Sequence, residues 1–250
     1  MRINKYLTVH GVCSRRQADE LITRGLVAID GQQAVLGTIV PDGALVTVRG
    51  EPVQAKPAPL YIKLNKPLGI ECTTDRSVPD NIIDFIDHPQ RIFPIGRLDK
   101  FSTGLILLTN DGDIVNRILR SQFGNEKEYV VKLDRPFEQS FLTALSRGVE
   151  IEGVPTLPCV ARRMGAATFQ IILKQGRNRQ IRKMVEALGF RVVELKRVRI
   201  MHITLGELPL GGWRELSSKE LELLLKQVQA QQALAQPTHP SDEGLDDGEA

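Results

Sequence analysis

Aromatic residues make up only 5% of this 250-residue chain, and no run of about 18 apolar residues is present to cross a bilayer. A membrane-spanning helix is therefore not expected. The start, MRINKYL, lacks the apolar core of a signal peptide, so a cytoplasmic protein is expected. Cysteine is scarce: Cys13, Cys72 and Cys159 are far apart and odd in number, with no CxxC spacing, which argues against both a disulfide framework and a zinc site. His10, His88, His202 and His239 are scattered without ligand or triad spacing. Asp111-Gly112-Asp113 could be taken for a metal-binding DxD, but it falls where a strand turns into a helix and Asp and Gly are expected anyway. Glu71, Asp75 and Asp80 form no evident carboxylate pair with Asp99 of the kind glycosidase chemistry needs. Neither a metal nor a cofactor is expected.

Positive charge is present, and it is unevenly placed. The net charge is +3, but the segment 232–250 holds five acids and no Lys or Arg, so the remainder carries +8. Between Lys174 and Arg199 nine Lys or Arg face two acids. A polyanion is the natural partner of such a stretch, although for an isolated run a solvated basic face accounts for it equally well.

The pattern along the chain predicts two domains. INKYLTVH reads as a first helix ending at Gly11. Ser14 with Gln17 three residues on, then Ala18, Leu21 and Ile22 on one face, predicts a capped second helix closed by Gly25. Asp30-Gly31 marks a two-residue hairpin, Pro41-Asp42-Gly43 turns into the strand ALVTV, and the proline-bearing segment 51–59 reads as an extended linker. From residue 60 to about 230, strands such as LYIKLN, GLILLT, EYVVKL and FQIILK alternate irregularly with helices such as EQSFLTALSRG and RQIRKMVEALG, and a last helix is expected at SSKELELLLKQVQ. That predicts an α+β fold with a mainly antiparallel mixed sheet flanked by helices. Residues 231–250 are polar, acidic and Pro/Gly-bearing, and are expected to be disordered.

Two stretches carry a resemblance. INKYLTVHGVCSRRQADELITRGLVAIDGQ resembles the S4 RNA-binding domain, a small α/β unit placed at residues 1–50, with Arg2, Lys5, Arg15 and Arg16 as candidate phosphate contacts. By residue type alone Asp99 is a loop acid capping a turn. GRLDKFSTGLILLTNDGD, however, presents that acid between Arg97 and Lys100 and resembles the signature of the RsuA-type pseudouridine synthases, here at residues 60–230. Lys127-Glu128-Tyr129 is similar to the family's KxY motif, and LKQGRNRQIR, from Leu173 to Arg182, to its basic motif. Details such as VNRILRSQFGNEKEYVV, GRNRQIRKM and LPLGGWREL look most like the RluF branch, which acts on large-subunit rRNA, although the acidic tail departs from the basic extensions of that branch.

The resemblance implies a catalytic Asp99, a Tyr129 stacked on the target base, an Arg182 paired with Asp99 and a Leu195 lining the uracil pocket. Leu98, Gln180 and Ile181 belong to the same motifs, and Arg97, Lys100, Arg177 and Arg179 can grip the flanking backbone. The implied partner is ribosomal RNA, large-subunit first and tRNA as a second candidate, handled by a monomer. No group donor or redox change enters such an isomerisation. A non-catalytic S4-type RNA-binding or ribosome-assembly factor would explain the charge but not these three motifs together. An aspartate-dependent phosphoesterase would have only Asp111 and Asp113 to hold Mg²⁺.

Overall fold

A computed structural model describes residues 1–119 and 124–235. The N-terminal unit starts with helices α1 (Ile3–Val9) and α2 (Arg15–Thr23). Ser14 and Gln17 close a reciprocal capping box on α2, as their spacing predicts. Strands β1 (Val27–Ile29), β2 (Gln32–Gln33), β3 (Val46–Val48) and β4 (Glu51–Pro52) form a sheet in the order β2-β1-β3-β4. Its core is small, with Ile3, Leu7, Ala18, Ile22 and Val27 at the centre. The segment read as a linker from residue 51 begins with β4. Arg49 and Gly50 both take positive φ, 54° and 84°, and fold the chain into a tight turn whose Arg carries no turn signal.

The second unit runs through β5 (Tyr61–Lys66), α3 (Ile82–Ile86), β6 (Phe93–Ile95), β7 (Thr103–Thr109), α4 (Gly112–Leu119), β8 (Lys127–Leu133) and α5 (Gln139–Arg147). Then come β9 (Glu150–Ile151), β10 (Val154–Pro155), β11 (Val160–Arg163), β12 (Thr168–Leu173), α6 (Gln180–Ala187), β13 (Val192–Ile200), β14 (Ile203–Thr204), β15 (Trp213–Glu215) and α7 (Ser218–Ala235). Among the described residues, nine strands form the main sheet, with β11-β12-β8-β13-β7-β5-β15 as its spine. All its pairings are antiparallel except β13 with β7. The fold is α+β, a small unit of two helices and a four-stranded sheet followed by a mainly antiparallel mixed sheet with helices packed on it.

Strand β7 shows why its sequence is a near-continuous apolar run. Leu105 and Leu107 pack with Ile114 and Ile118 of α4 and Leu224 and Val228 of α7, whereas Ile106 and Leu108 pack with α3 on the opposite face. Both faces are covered, so alternation is lost. Each of these side chains contributes roughly 1.5–3 kcal/mol by burial. A third cluster joins Phe169, Ile171 and Leu173 of β12 to Phe141 and Leu145 of α5 and to Ile181, Met184 and Val185 of α6. Strands β9, β10, β11 and β15 were not predicted, because they are short and mostly exposed and carry no apolar rhythm. Helix α7 reaches Ala235, five residues into the segment expected to be disordered, and residues 236–250 lie outside the described residues.

Candidate active site

The loop from Gly96 to Ser102 joins β6 to β7 and is fixed at both ends by glycines. Gly104 has φ +101°, and a Cβ there would sit 2.2 Å from the Arg197 carbonyl oxygen of β13. Only glycine lets the parallel pair Arg197–Gly104 approach this closely. At the other end Gly96 has φ +80°, with Leu119 filling the space a side chain would need. Between them Leu98 is buried against α3, and its N–H donates to Cys72 Sγ at 3.4 Å. The Ser102 N–H donates to the Asp99 carbonyl at 3.0 Å and tightens the turn.

Asp99 is thereby presented to Arg179 and Arg182 at the start of α6. Arg182 Nε lies 3.7 Å from Asp99 Oδ2 and Arg179 Nη1 lies 3.9 Å from the same oxygen. The rest of the Arg182 guanidinium is tied to backbone and hydroxyl: Nη2 donates to Phe101 O at 2.7 Å and Ser102 Oγ at 3.4 Å, and Nη1 to Val192 O at 3.2 Å. Burial, then Arg179, pulls the Arg182 pKa down, and Asp99 opposes the shift. Arginine stays a cation through a shift of that kind. Its buried Nε has no hydrogen-bond partner, and the 3.7 Å gap to Asp99 is slightly too long to be one.

A cavity of about 80 Å³ opens over Asp99, bordered by Tyr129, Leu195, Ile181, Gln175 and Arg179. A second, of about 390 Å³, adjoins it and shares Asp99, Tyr129, Arg97 and Arg179, with Lys127 and Arg197 as further walls. Tyr129 therefore borders both. Leu195, Gln180 and Ile181 are buried. Arg97 is exposed, while Lys100 faces Glu71 at 3.4 Å. Arg177, expected to hold RNA backbone, instead donates to Ile151 O and Val154 O at 3.0 Å each, so its guanidinium ties the 175–180 loop to the β9–β10 hairpin.

Four residues at the site escaped the sequence reading. Buried Lys66 donates to Pro67 O at 2.8 Å and Lys100 O at 3.4 Å. Arg197, 3% exposed, donates to Leu105 O at 2.6 Å and Arg97 O at 3.5 Å, bracing the root of the loop. Ser102 and Gln175 complete the set. The alternation in β13 placed Arg197 among apolar neighbours, but a cation in a strand reads as a solvent-facing residue.

The model of RNA pseudouridylate synthases matches residues 60–187 of the chain, more than half of it, and the S4 domain model matches residues 1–46. The chain belongs to the RNA pseudouridylate synthase family. It is 46% identical over 238 residues to the dual-specificity RNA pseudouridine synthase RluF of Salmonella typhi, covering 94% of this chain and 82% of that protein. It is 36% identical over 232 residues to the ribosomal large subunit pseudouridine synthase B of Bacillus subtilis, covering 89% and 95%. A crystal structure of a pseudouridylate synthase superposes with a TM-score of 0.66 at 31% identity, over 90% of this chain and 99% of that one. The protein is an RNA pseudouridine synthase with an S4 RNA-binding domain.

On the S4 unit of this synthase, Arg2, Arg15 and Arg16 are exposed. Lys5 is engaged with Asp113 of α4 at 2.8 Å, a contact that crosses between the two units. Asp111 accepts from the Tyr61 hydroxyl at 2.8 Å, so both acids of the DxD have protein partners. Among the described residues, no group of three or more His, Cys, Asp or Glu is placed to hold a metal ion. No described helix is long and apolar enough to cross a membrane.

Proposed function

We propose that this synthase isomerises a uridine of large-subunit ribosomal RNA, with Asp99 as the catalytic carboxylate. The observation that carries the reading is the Asp99 carboxylate between Arg179 and Arg182 at the floor of a cavity walled by Tyr129 and Leu195. The reaction cuts uracil from C1′, turns it and rejoins it through C5, and the C5 proton leaves. A carboxylate at the ribose can attack C1′ or take the C2′ proton, and both routes use the same Asp99. The target base must leave its stack to enter the cavity. Tyr129 offers it an aromatic face and Leu195 an apolar wall, while Arg182 holds the carboxylate by charge and by gripping the Phe101 carbonyl and the Ser102 hydroxyl. Exposed Arg97 can meet phosphates, and so can Arg179 with the part of its guanidinium that does not face Asp99.

Large-subunit rRNA is favoured because the RluF and large-subunit synthase B relatives cover 94% and 89% of the chain. A tRNA is the second candidate, in keeping with the dual specificity in the name of the RluF relatives. The enzyme acts as a cytoplasmic monomer on this reading. Tritium release from C5-labelled rRNA, with and without EDTA, tests the chemistry: release indifferent to chelation is expected, and tight RNA binding without release would leave only an RNA-binding module. Mapping pseudouridine in treated large-subunit rRNA, small-subunit rRNA and tRNA tests the substrate, and modification confined to the small-subunit RNA would overturn the assignment.

A further inference from the structure

We propose that Phe101 and Leu68 form an apolar platform at the lip of the catalytic loop that receives an unpaired nucleobase beside the target uridine. The proposal rests on the reading of Asp99 as the catalytic carboxylate. Phe101 lies two residues beyond Asp99 and is 67% exposed, and Leu68 is 61% exposed. Neither belongs to any of the hydrophobic clusters of the described residues. A single exposed apolar side chain is ordinary, but these two stand on abutting turns. The Gly69 N–H donates to Lys100 O at 3.0 Å, and Lys66 Nζ reaches both Pro67 O and Lys100 O.

The backbone under the platform is rigid. Phe101 O accepts from Arg182 Nη2 at 2.7 Å, and the next residue, Ser102, is 1% exposed. The loop therefore holds an aromatic ring in solvent when the same chain buries Phe137, Phe141 and Phe169. Lys100 precedes it in the loop, Arg182 grips its carbonyl, and the loop residues on either side of it, Asp99 and Ser102, line the cavity that Arg97 and Arg179 also border. Aromatic and apolar faces interleaved with cations are how proteins hold unpaired nucleotides, the cations tracking phosphates and the rings taking bases. Flipping the target uridine removes the stacking partner of its neighbour, and the lip of the cavity is where that neighbour emerges. The loop's continuity with the cavity through Asp99 and Ser102, and the cations that border that cavity, select a nucleobase over a protein surface as occupant.

The test uses the full chain and large-subunit rRNA transcripts carrying 5-tritiated uridine. Stacking on one base is worth roughly 5- to 150-fold in binding, so Phe101→Ala should raise KM at least about fivefold while kcat changes far less. Its melting temperature should match the wild type, because the ring is exposed. Phe101→Trp should keep the wild-type KM. Since Trp213 is the sole Trp, combining Phe101→Trp with Trp213→Phe isolates one indole, whose fluorescence should be quenched on binding the transcript. An unchanged KM in Phe101→Ala together with unquenched indole emission would overturn the platform alone, provided the wild type makes pseudouridine. A wild type that releases no tritium overturns both the platform and the reading beneath it. Release by Asp99→Asn with quenching intact overturns the role of Asp99 and leaves the platform as an RNA contact.

Discussion

The two units of the molecule handle positive charge in opposite ways. In the S4 unit, Arg2, Arg15 and Arg16 stand exposed over a small core. In the catalytic unit, Lys66, Lys127, Arg182 and Arg197 are all buried, and Lys66, Arg182 and Arg197 each donate at least one hydrogen bond to a carbonyl of the Asp99 loop: Lys100 O, Phe101 O and Arg97 O. Exposed cations attract a polyanion at range and are screened by salt, whereas buried cations fix geometry and are costly to remove. If the first unit docks RNA and the second places the reacting groups, as proposed, substitutions in the two should fail differently.

The largest effect is expected at Asp99. Asp99→Asn keeps the size and the hydrogen-bonding capacity of the side chain but can neither attack C1′ nor take a proton. Turnover should drop at least about 10³-fold, the scale on which reacting groups act, with RNA affinity within a few-fold of wild type. Affinity should rise slightly, because an acid facing a polyanion has been neutralised. Filter binding and pseudouridine mapping check the two arms, and residual turnover near the wild-type level would sink the catalytic role. Parallel loss of affinity and melting temperature would instead make Asp99 a structural loop residue.

Arg182 should come next, and its signature differs. Arg182→Ala removes donors to Phe101 O, Ser102 Oγ and Val192 O as well as the nearer cation beside Asp99. A misplacement of about 1 Å at a reacting group costs on the order of 10²-fold, so kcat should fall by that scale while the melting temperature also drops. Arg182→Lys should not rescue it, since an ammonium cannot reproduce the planar fork that reaches three oxygens. Equal loss with no change in melting temperature would mean that Arg182 does not brace the loop.

Buried charge also predicts a pH dependence that exposed charge would not give. Burial, and then the nearby Arg197, lowers the Lys127 pKa from 10.5 to about 8. Lys127 is charged in both folded and unfolded chains below about pH 8, so the penalty for burying its charge is full there. Between pH 8 and 10.5 the folded protein releases the proton first, and the penalty fades. The shift corresponds to at most about 3 kcal/mol. Lys127→Met should therefore be more stable than wild type in urea at pH 7, with the gap narrowing as the pH rises to 10. A gap independent of pH would contradict the buried ammonium.

How much of this was readable in the sequence follows the same division. The capping box at Ser14 and Gln17, the turn at Asp30-Gly31 and the loop around Asp99 are local signals, set by residues within a few positions of one another, and the chain obeys them. The resemblance supplied Tyr129 and Leu195, which the fold brings from β8 and β13 to the cavity over Asp99, and Arg182, which α6 places 3.7 Å from the Asp99 carboxylate. Lys66 and Arg197 were unreadable because their meaning depends on contacts over 34 and 92 residues of chain, and a cation alone suggests solvent. Gly104 was visible as a glycine, but its reason, the Arg197 carbonyl of a parallel neighbour, required the sheet. Arg177 looked like a phosphate contact and is held by two carbonyls instead.

The smallest expected effect tests the docking side of the comparison. Arg15 and Arg16 open α2 and are exposed, and neither belongs to the small core formed by Ile3, Leu7, Ala18 and Ile22. Reversing both, Arg15→Glu with Arg16→Glu, should leave the melting temperature near wild type, since surface substitutions away from caps and core usually change stability by less than about 0.5 kcal/mol. Affinity for rRNA should fall about tenfold at moderate salt, and the slope of log affinity against log salt should become shallower by roughly 1 to 2, because each phosphate no longer neutralised keeps about one condensed counterion. The kcat at saturating RNA should not change, because neither residue lies near the cavity over Asp99. Full affinity with an unaltered salt slope would mean that the S4 unit grips RNA through another face. A fall in kcat at saturation would mean that this unit also orients the target, and the separation of docking from placement would have to be given up.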